Sequence, residues 1–322
     1  MTTALIERFR DRLPVTDATP VVSLGEGSTP LLRAPRLSER LGLDLWLKWE
    51  ASNPTGSYKD RGLTVAVSKA VEAGAEAVLC ASTGNTGASA AAYAARAGIP
   101  ALVLIPEGAI AGAKLAQTRA LGATVLEVRG SFDQALGAAR ALADRGGHVL
   151  VNSLNPSRIE GQKTAVFEIV EELGTPPDAF VIPYGGGGNT TAYARALGEL
   201  GLATPLYSIE AADRPHTLAT AIRIEEPAHR PAVVASGAHV RAVSDEEIVE
   251  AWLELAREEG LFCEPSSAAG LAFLRRGDEL RGATVVVTIT GHGLKDPVAA
   301  DRHAPPPISV APDPDAIAEA AR

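Results

Sequence analysis

A single lysine lies where the chain passes from a turn into a helix. In the stretch SNPTGSYKDRG, residues 52–62, the Asn-Pro-Thr-Gly run is typical of a turn, and apolar residues then recur at helical spacing. The pattern predicts Lys59 on the first helical turn, where unpaired N–H groups and the helix dipole disfavour an ammonium. A lysine whose pKa is lowered in this way is a nucleophile and a base. The alternative is an ordinary surface lysine whose stem covers apolar residues.

Three further stretches are polar or glycine-rich turns that each follow a predicted strand. They are ASTGNTGAS at 81–89, IPYGGGGNTTAYA at 182–194 and VTITGHGLKDP at 287–297. Open α/β sheets bind ligands at the carboxyl ends of their strands, so these turns are candidate binding loops. Four consecutive glycines ahead of a helix allow several backbone N–H groups to converge on a phosphate.

Each turn also has a purely structural explanation. GGGGN lacks the spacing of a dinucleotide-binding turn and the Lys-Ser/Thr of a P-loop, so alone it also suits a flexible turn. STGNTG alone also suits a polar helix cap. In combination, an activated lysine, a phosphate-binding turn and polar loops are typical of a pyridoxal phosphate site, in which the lysine forms a Schiff base with the cofactor. The combination therefore predicts that cofactor.

Strand and helix patterns alternate along the chain that carries these loops. Seven short apolar runs bounded by Gly or Pro predict buried strands at 77–81, 100–106, 123–128, 148–152, 179–183, 205–209 and 283–289. Helical patterns lie between them, at 87–97, 112–121, 132–145, 160–173 and 190–200. Ser244–Glu247 fits a capping box that begins a helix ending at Gly260, and 315–321 predicts a short helix in a proline-rich tail. The alternation predicts an α/β protein with largely parallel sheets.

The composition argues against several classes of protein and of ligand. The 322 residues are 46% hydrophobic and carry a formal net charge of -9, which is typical of a globular protein and disfavours nucleic acid as a partner. Without a signal peptide or membrane-spanning stretch, we expect a cytoplasmic location and no membrane partner. Cys80 and Cys263 lie in apolar runs, so buried thiols are expected. No metal site is predicted, because His292 lacks a second ligand at suitable spacing, and the remaining histidines, at 148, 216, 229, 239 and 303, are interpreted as incidental.

Several motifs together resemble those of threonine synthases, which are pyridoxal-phosphate-dependent enzymes of fold type II. The motifs are SNPTGSYKDRG, CASTGNTGASAAAYAARAG, VNSLNPSRIEGQKTAVFEI, ATAIRI, EPSSAAG and TGHGLKDP. The resemblance implies two domains, each with a twisted, mostly parallel sheet flanked by helices. Residues 1–50 and 151–303 would form the larger, cofactor-binding domain, 51–150 a smaller domain that closes on the substrate, and 304–322 a C-terminal tail. A homodimer is also implied.

The resemblance further implies a role for each motif residue. Lys59 would hold the cofactor and move protons, Asn85 would hydrogen-bond the ring oxygen, and Thr290 would face the ring nitrogen. The cofactor phosphate would lie on the turn made by Gly185, Gly186, Gly187, Gly188 and Asn189. The substrate carboxylate would contact Ser82, Thr83 and Thr86, and the substrate phosphate would contact Asn152, Ser153 and Arg158.

The implied reaction converts O-phospho-L-homoserine and water to L-threonine and phosphate. Lys59 would remove protons from Cα and Cβ, phosphate would leave from Cγ, and water would add at Cβ. Two alternatives remain. One is a relative that acts on another β- or γ-substituted amino acid, including an amino-acid dehydratase of the same fold. The other is a non-catalytic α/β protein in which GGGGN holds a nucleotide.

Three positions and one segment depart from the motifs of the family. Gly186 replaces the usual asparagine, Gly87 a common serine and Tyr58 the usual phenylalanine. The segment before ATAIRI is shorter and contains Asp213 and Arg214. The resemblance places these changes near the end of the pocket that would bind the leaving group.

Overall fold

Two open sheets form the framework of the chain. The computed structural model describes residues 3–108 and 112–321, and the elements below are those of these ranges. The strands are β1 (Leu31–Arg33), β2 (Asp44–Trp49), β3 (Ala77–Ala81), β4 (Ala101–Pro106), β5 (Thr124–Val128), β6 (His148–Leu150), β7 (Ala179–Pro183), β8 (Leu206–Ala211), β9 (His239–Val243) and β10 (Thr284–Ile289). The six-stranded sheet has the order β1-β2-β10-β7-β8-β9, and the four-stranded sheet has the order β5-β4-β3-β6. Among the pairings of these ten described strands, β1–β2 is antiparallel and the others are parallel.

Helices connect the strands and pack on the sheets. They are α1 (Leu5–Arg8), α2 (Pro35–Leu41), α3 (Lys59–Glu72), α4 (Asn85–Ala97), α5 (Ala113–Ala120), α6 (Phe132–Ala143), α7 (Pro156–Leu173), α8 (Gly188–Leu200), α9 (Arg230–Ala235), α10 (Asp245–Glu259), α11 (Ala269–Leu274), α12 (Pro297–His303) and α13 (Pro314–Ala320). Helices α4 and α6 both contact β3 and β4, and α11 contacts β7 and β8. The predicted α/β class with largely parallel sheets is confirmed.

The seven predicted strands are all present, with ends that differ by at most two residues. The prediction of burial is wrong for β5, whose residues are exposed or half-buried because it is an edge strand that pairs only with β4. Strand β6 at the opposite edge is half-buried for the same reason. The patterns did not predict β1, β2 and β9, in which charged or polar residues interrupt short apolar runs.

A close crossing of α3 and α7 fixes the helices that carry Lys59 and Arg158. A Cβ atom on Gly161 would lie 1.9 Å from the carbonyl oxygen of Arg61. One on Gly62 would lie 2.9 Å from the carbonyl oxygen of Arg158. Glycine at both positions therefore lets the two backbones touch, and this crossing sets the separation of the two cationic side chains.

Other expectations concern the helix caps, the tail and the thiols. The capping box of Ser244 and Glu247 is present, and Gly260 ends helix α10 with φ of 71°. The tail helix α13 forms, and residues 304–321 are exposed except for half-buried Ala316. Both thiols are free and buried. Along the described ranges, no helix is long and apolar enough to cross a bilayer, and no group of three or more His, Cys, Asp or Glu could hold a metal ion.

Candidate active site

Lys59 is the first residue of α3, as predicted, and its amine lies beside an aromatic hydroxyl. Its Nζ atom donates to Oη of Tyr58 and lies 4.1 Å from the centroid of the Tyr58 ring. The predicted lowering of its pKa is confirmed in direction, but the main cause is burial of the amine. Tyr58 partly opposes this effect, and the positive charge of Arg158 reinforces it. The surrounding protein, rather than the helix dipole alone, therefore favours a neutral amine.

Asn85 begins helix α4 and is held by a buried carboxylate. Its Nδ2 atom donates to Oε1 of Glu264 at 2.7 Å, and its Oδ1 atom has no hydrogen-bond partner within the described ranges. Oε2 of Glu264 lies 2.8 Å from Nζ of Lys114 on α5, and the backbone N–H of Glu264 donates to the carbonyl of Gly291 at 3.0 Å. Glu264 thus connects the asparagine loop to the loop after β10. Glu264 is the first residue of the EPSSAAG motif, but the sequence analysis assigned it no role. Its place in that motif is the signal that could have identified it.

Thr290 lies next to the lysine because its carbonyl oxygen accepts the backbone N–H of Tyr58 at 3.0 Å. Its side chain is buried, and Oγ1 lies 2.9 Å from Oγ of Ser267. Ser267 also accepts the backbone N–H of Gly291 at 3.0 Å. This paired hydroxyl can face a ring nitrogen without contributing a negative charge.

The glycine turn after β7 is shaped by positions at which a side chain would not fit. Gly187 has φ of 87°, and a Cβ atom there would lie 3.0 Å from Cβ of His229. A Cβ atom on Gly185 would lie 3.1 Å from the carbonyl oxygen of Ala221. Nδ2 of buried Asn189 finds no partner among the described residues, and the first turn of α8 leaves backbone N–H groups unpaired. The turn is therefore a concave group of donors that suits an anion.

Arg158 is a buried cation with unused hydrogen-bonding capacity. The residue is only 1% exposed, yet its Nε and Nη2 atoms have no hydrogen-bond partner in the part of the chain that the structure describes. Nη1 makes a single bond of 3.4 Å to the carbonyl of Val151. Burial lowers the pKa of Arg158, and the groups that oppose this lowering, Tyr58 and Cys80, are not carboxylates. Two nitrogens without partners in the described chain give this buried guanidinium the capacity to bind an anion.

The residues predicted to bind the substrate carboxylate lie together at the start of α4. Oγ of Ser82 accepts the backbone N–H of Gly84 at 3.1 Å, Thr83 is exposed and Thr86 is half-buried. Gly87 has a packing role, since a Cβ atom there would lie 3.1 Å from the carbonyl oxygen of Ser82. Carboxylate binding by these side chains stays a prediction.

Asn152 and Ser153 follow β6 and are engaged with other loops. The amide of Asn152 accepts from the backbone N–H of Ala81 at 2.9 Å and donates to its carbonyl at 2.8 Å. The carbonyl oxygen of Ser153 accepts from Nε2 of His229 at 2.9 Å. Of the three residues predicted to contact the substrate phosphate, Arg158 has the clearly unfilled capacity, and the roles of the other two stay predictions.

The shortened segment before ATAIRI places the guanidinium of Arg214 next to the glycine turn. Arg214 pairs with Glu210 rather than with its neighbour Asp213, and its Nη1 atom donates to the carbonyls of Ile224 at 2.9 Å and Gly185 at 3.3 Å. The guanidinium lies over Tyr184, 4.6 Å from the ring centroid. Of the two residues that distinguish this segment, Arg214 therefore contacts the glycine turn directly.

His229, which the sequence analysis interpreted as incidental, contacts two loops of the site. Its backbone N–H donates to the carbonyl of Gly186 at 3.0 Å, and its ring packs against the glycine turn. A histidine without a motif gave no signal in the sequence, because its contacts come from distant parts of the chain.

Comparison with known proteins agrees with this geometry. A family model described as pyridoxal-phosphate dependent enzyme matches residues 22–291, so the chain belongs to that class. A threonine synthase of Mycobacterium leprae is 51% identical, over 98% of this chain and 94% of that protein. One of Synechocystis is 49% identical, over 91% of this chain and 83% of that protein. Within the class, the chain therefore belongs to the threonine synthase family, which confirms the resemblance.

The fold is also that of solved pyridoxal-phosphate enzymes. Maize serine racemase superposes with a TM-score of 0.78 over 94% of this chain and 97% of that chain, at 21% identity. The residues present suit pyridoxal phosphate: a partly accessible lysine of lowered pKa, a glycine turn whose Asn189 amide is unpaired, and a neutral hydroxyl pair at Thr290. The chain is pyridoxal-phosphate dependent, like the rest of its family.

Proposed function

We propose that the chain converts O-phospho-L-homoserine and water to L-threonine and phosphate, as a lyase of threonine biosynthesis. The observation that carries the proposal is Arg158, whose Nε and Nη2 atoms lack partners within the described chain although the residue is buried. The glycine turn suits the phosphate of the cofactor, so a second anion site suits a substrate that bears its own phosphate. The similarity to threonine synthases supports the same substrate.

Lys59 is the proposed acid and base of the reaction. Burial is the main cause that lowers its pKa, which favours the neutral amine. The neutral amine can accept the substrate proton at Cα and, after passing it on, the proton at Cβ, and protons return to Cγ and Cα in the product. Bound pyridoxal phosphate supplies the electron-withdrawing group that makes the Cα proton acidic. The hydroxyl of Tyr58 accepts a hydrogen bond from the amine of Lys59 and so orients it.

Other residues bind and orient. Arg158 receives the phosphate that leaves from Cγ, while Asn152 and Ser153 line the same loop. Ser82, Thr83 and Thr86 bind the substrate carboxylate at the start of α4. Asn85, fixed by Glu264, would contact the ring oxygen of the cofactor, Thr290 would face its nitrogen, and Gly185 to Asn189 would hold its phosphate. Water that adds at Cβ approaches once phosphate has left.

The proposal extends to the assembly and its motion. Residues 51–150 form a smaller domain that closes on the substrate, which excludes bulk water while Lys59 acts at two carbons. Two copies form a homodimer, and the enzyme works in the cytoplasm on a small amino-acid substrate. Size-exclusion chromatography with light scattering tests the dimer, and structures with and without a substrate analogue test the closure.

The function is tested by incubating the enzyme with O-phospho-L-homoserine and following phosphate and threonine together. Equal release of the two products is expected. Lys59→Ala should lower the rate at least about a thousandfold and abolish the visible absorbance of the bound cofactor, since general base catalysis and covalent attachment are both lost. Lys69→Ala, on the same helix, is the matched control and should keep both.

A dehydratase is the outcome that would replace this proposal. Release of ammonia from L-threonine or L-serine, with no phosphate from phosphohomoserine, would show that Arg158 serves another anion. A colourless protein that does not take up the cofactor would contradict the class of enzyme altogether.

A further inference from the structure

His229 joins two loops that follow strands of different sheets. Its backbone N–H donates to the carbonyl of Gly186, in the turn after β7, at 3.0 Å. Its ring donates from Nε2 to the carbonyl of Ser153, in the loop after β6, at 2.9 Å. A carbonyl oxygen can only accept, so Nε2 carries the proton of the ring.

The loop that His229 holds is also the loop to which Arg158 is attached. Nη1 of Arg158 donates to the carbonyl of Val151, and the backbone N–H of Arg158 donates to the carbonyl of Asn155 at 3.0 Å. Ser153 lies between these two anchor points. A bond to its carbonyl therefore restrains the loop against which the guanidinium is positioned.

The ring of His229 is also packed against the glycine turn. The residue is 9% exposed, and a Cβ atom added to Gly188 would lie 3.7 Å from Nε2. Burial lowers the pKa of His229, and the positive charges of Arg158 and Lys59 lower it further. The hydrogen bond to Ser153 partly opposes this lowering, and the geometry fixes Nε2 as the donor that reaches the Ser153 carbonyl.

We propose that His229 is a positioning residue that sets the separation between the glycine turn and the guanidinium of Arg158. The proposal rests on the proposed function for the identity of the substrate. In that reaction, the glycine turn would hold the cofactor phosphate and Arg158 the substrate phosphate, so this separation decides how well both phosphates are accommodated at once.

Two variants separate the hydrogen bond from the bulk of the ring. The amide nitrogen of glutamine can occupy a position close to Nε2, whereas that of asparagine is too short to reach the carbonyl of Ser153. Inorganic phosphate is titrated into the cofactor-loaded enzyme, and its binding is followed by the visible absorbance of the cofactor. We expect His229→Asn to weaken phosphate binding and to raise KM for phosphohomoserine about tenfold, with kcat within about twofold. His229→Gln should stay within about twofold of the wild type in each quantity.

Several results would overturn the proposal. An asparagine variant that binds phosphate as the wild type does, with only a lower melting temperature, would make the bond merely structural. Equal losses in the asparagine and glutamine variants would exclude the hydrogen bond as the cause. His229→Ala, which should show the same tenfold loss, replaces the asparagine variant if that protein does not fold. His303→Ala, at the exposed end of α12, is the control and should change nothing.

The phosphate titration also separates this proposal from the proposed function. A wild-type enzyme that binds phosphate but forms no threonine would reject the function, and the effect of His229→Asn on phosphate binding would still decide the role of His229.

Discussion

Two buried arginines on neighbouring helices have opposite surroundings. Arg61 on α3 is fully buried, and each of its three nitrogens bonds to Glu50, Glu168 or both, with distances of 2.6–2.8 Å. Arg158 on α7 is 1% exposed, but the described chain offers partners to only one of its nitrogens. Burial and residue type are the same in the two cases. The hydrogen-bond partners therefore distinguish Arg61, which is fully paired within the fold, from Arg158, which has capacity left to bind a ligand.

The electrostatics lead to the same distinction. Burial lowers the pKa of Arg61, but Glu168 and Glu50 outweigh it and raise the pKa well above its usual value. Burial lowers the pKa of Arg158 without such compensation. An unpaired buried charge costs free energy of folding, which the protein recovers when an anion binds.

The largest effect is expected at the paired arginine. Arg61→Met removes the partner of two buried carboxylates, of which Lys48 reaches only Glu168, at 2.9 Å. Breaking such a cluster typically costs about 3–5 kcal/mol, so the free energy of unfolding should fall by that amount. Guanidinium denaturation at pH 7 measures the change. Arg36→Met, at an exposed position, is the control and should stay within about 0.5 kcal/mol. A loss below about 1 kcal/mol would mean that the cluster does not stabilise the fold.

The unpaired arginine should behave in the opposite way. Arg158→Met removes a charge that has no carboxylate partner among the described residues, so the ligand-free protein should gain about 1 kcal/mol of stability. It also removes the proposed contacts to the substrate phosphate, so kcat/KM should fall about a hundredfold, or about 2.7 kcal/mol. Denaturation of the ligand-free protein and steady-state kinetics measure the two effects. A variant that loses stability and activity together would erase the distinction between the two arginines.

The sequence predicts those parts of the site that depend on a short stretch of neighbouring residues. Lys59 at a helix start and the glycine turn that contains Gly187 follow from turn and helix patterns of a few residues. The partners of these residues are not local. Glu264 is 179 residues from Asn85, and His229 is 76 residues from Ser153, so no spacing rule connects them. The same difference holds for the strands. A continuous apolar run predicts a buried strand such as β7, whereas the exposure of β5 follows from its edge position, which depends on the order of strands in the sheet.

Asp60 offers a third arrangement of a buried charge, between those of the two arginines. Its carboxylate accepts from the backbone and hydroxyl of Thr55, both at 2.7 Å, and from the hydroxyl of Ser89, but no cation of the described ranges bonds to it directly. Burial raises its pKa from 3.8 to about 6, although these hydrogen bonds and the charge of Lys295 oppose the shift. Neutral donors therefore satisfy its oxygens without fully compensating its charge.

Because the pKa of Asp60 is higher in the folded state, the folded protein binds the proton more tightly between pH 4 and 6. The contribution of this group to the free energy of unfolding is therefore greatest below about pH 4 and is lost as the pH rises through about 6. Asp60→Asn mimics the protonated carboxyl, since its amide oxygen can accept from the backbone of Thr55 and its nitrogen can donate to a hydroxyl. The variant should match the wild type at pH 4 and exceed its stability by about 2 kcal/mol at pH 7. Denaturation of both proteins from pH 4 to 7 measures this, and a difference independent of pH would show that neutral hydrogen bonds stabilise a buried charge as well as an ion pair does.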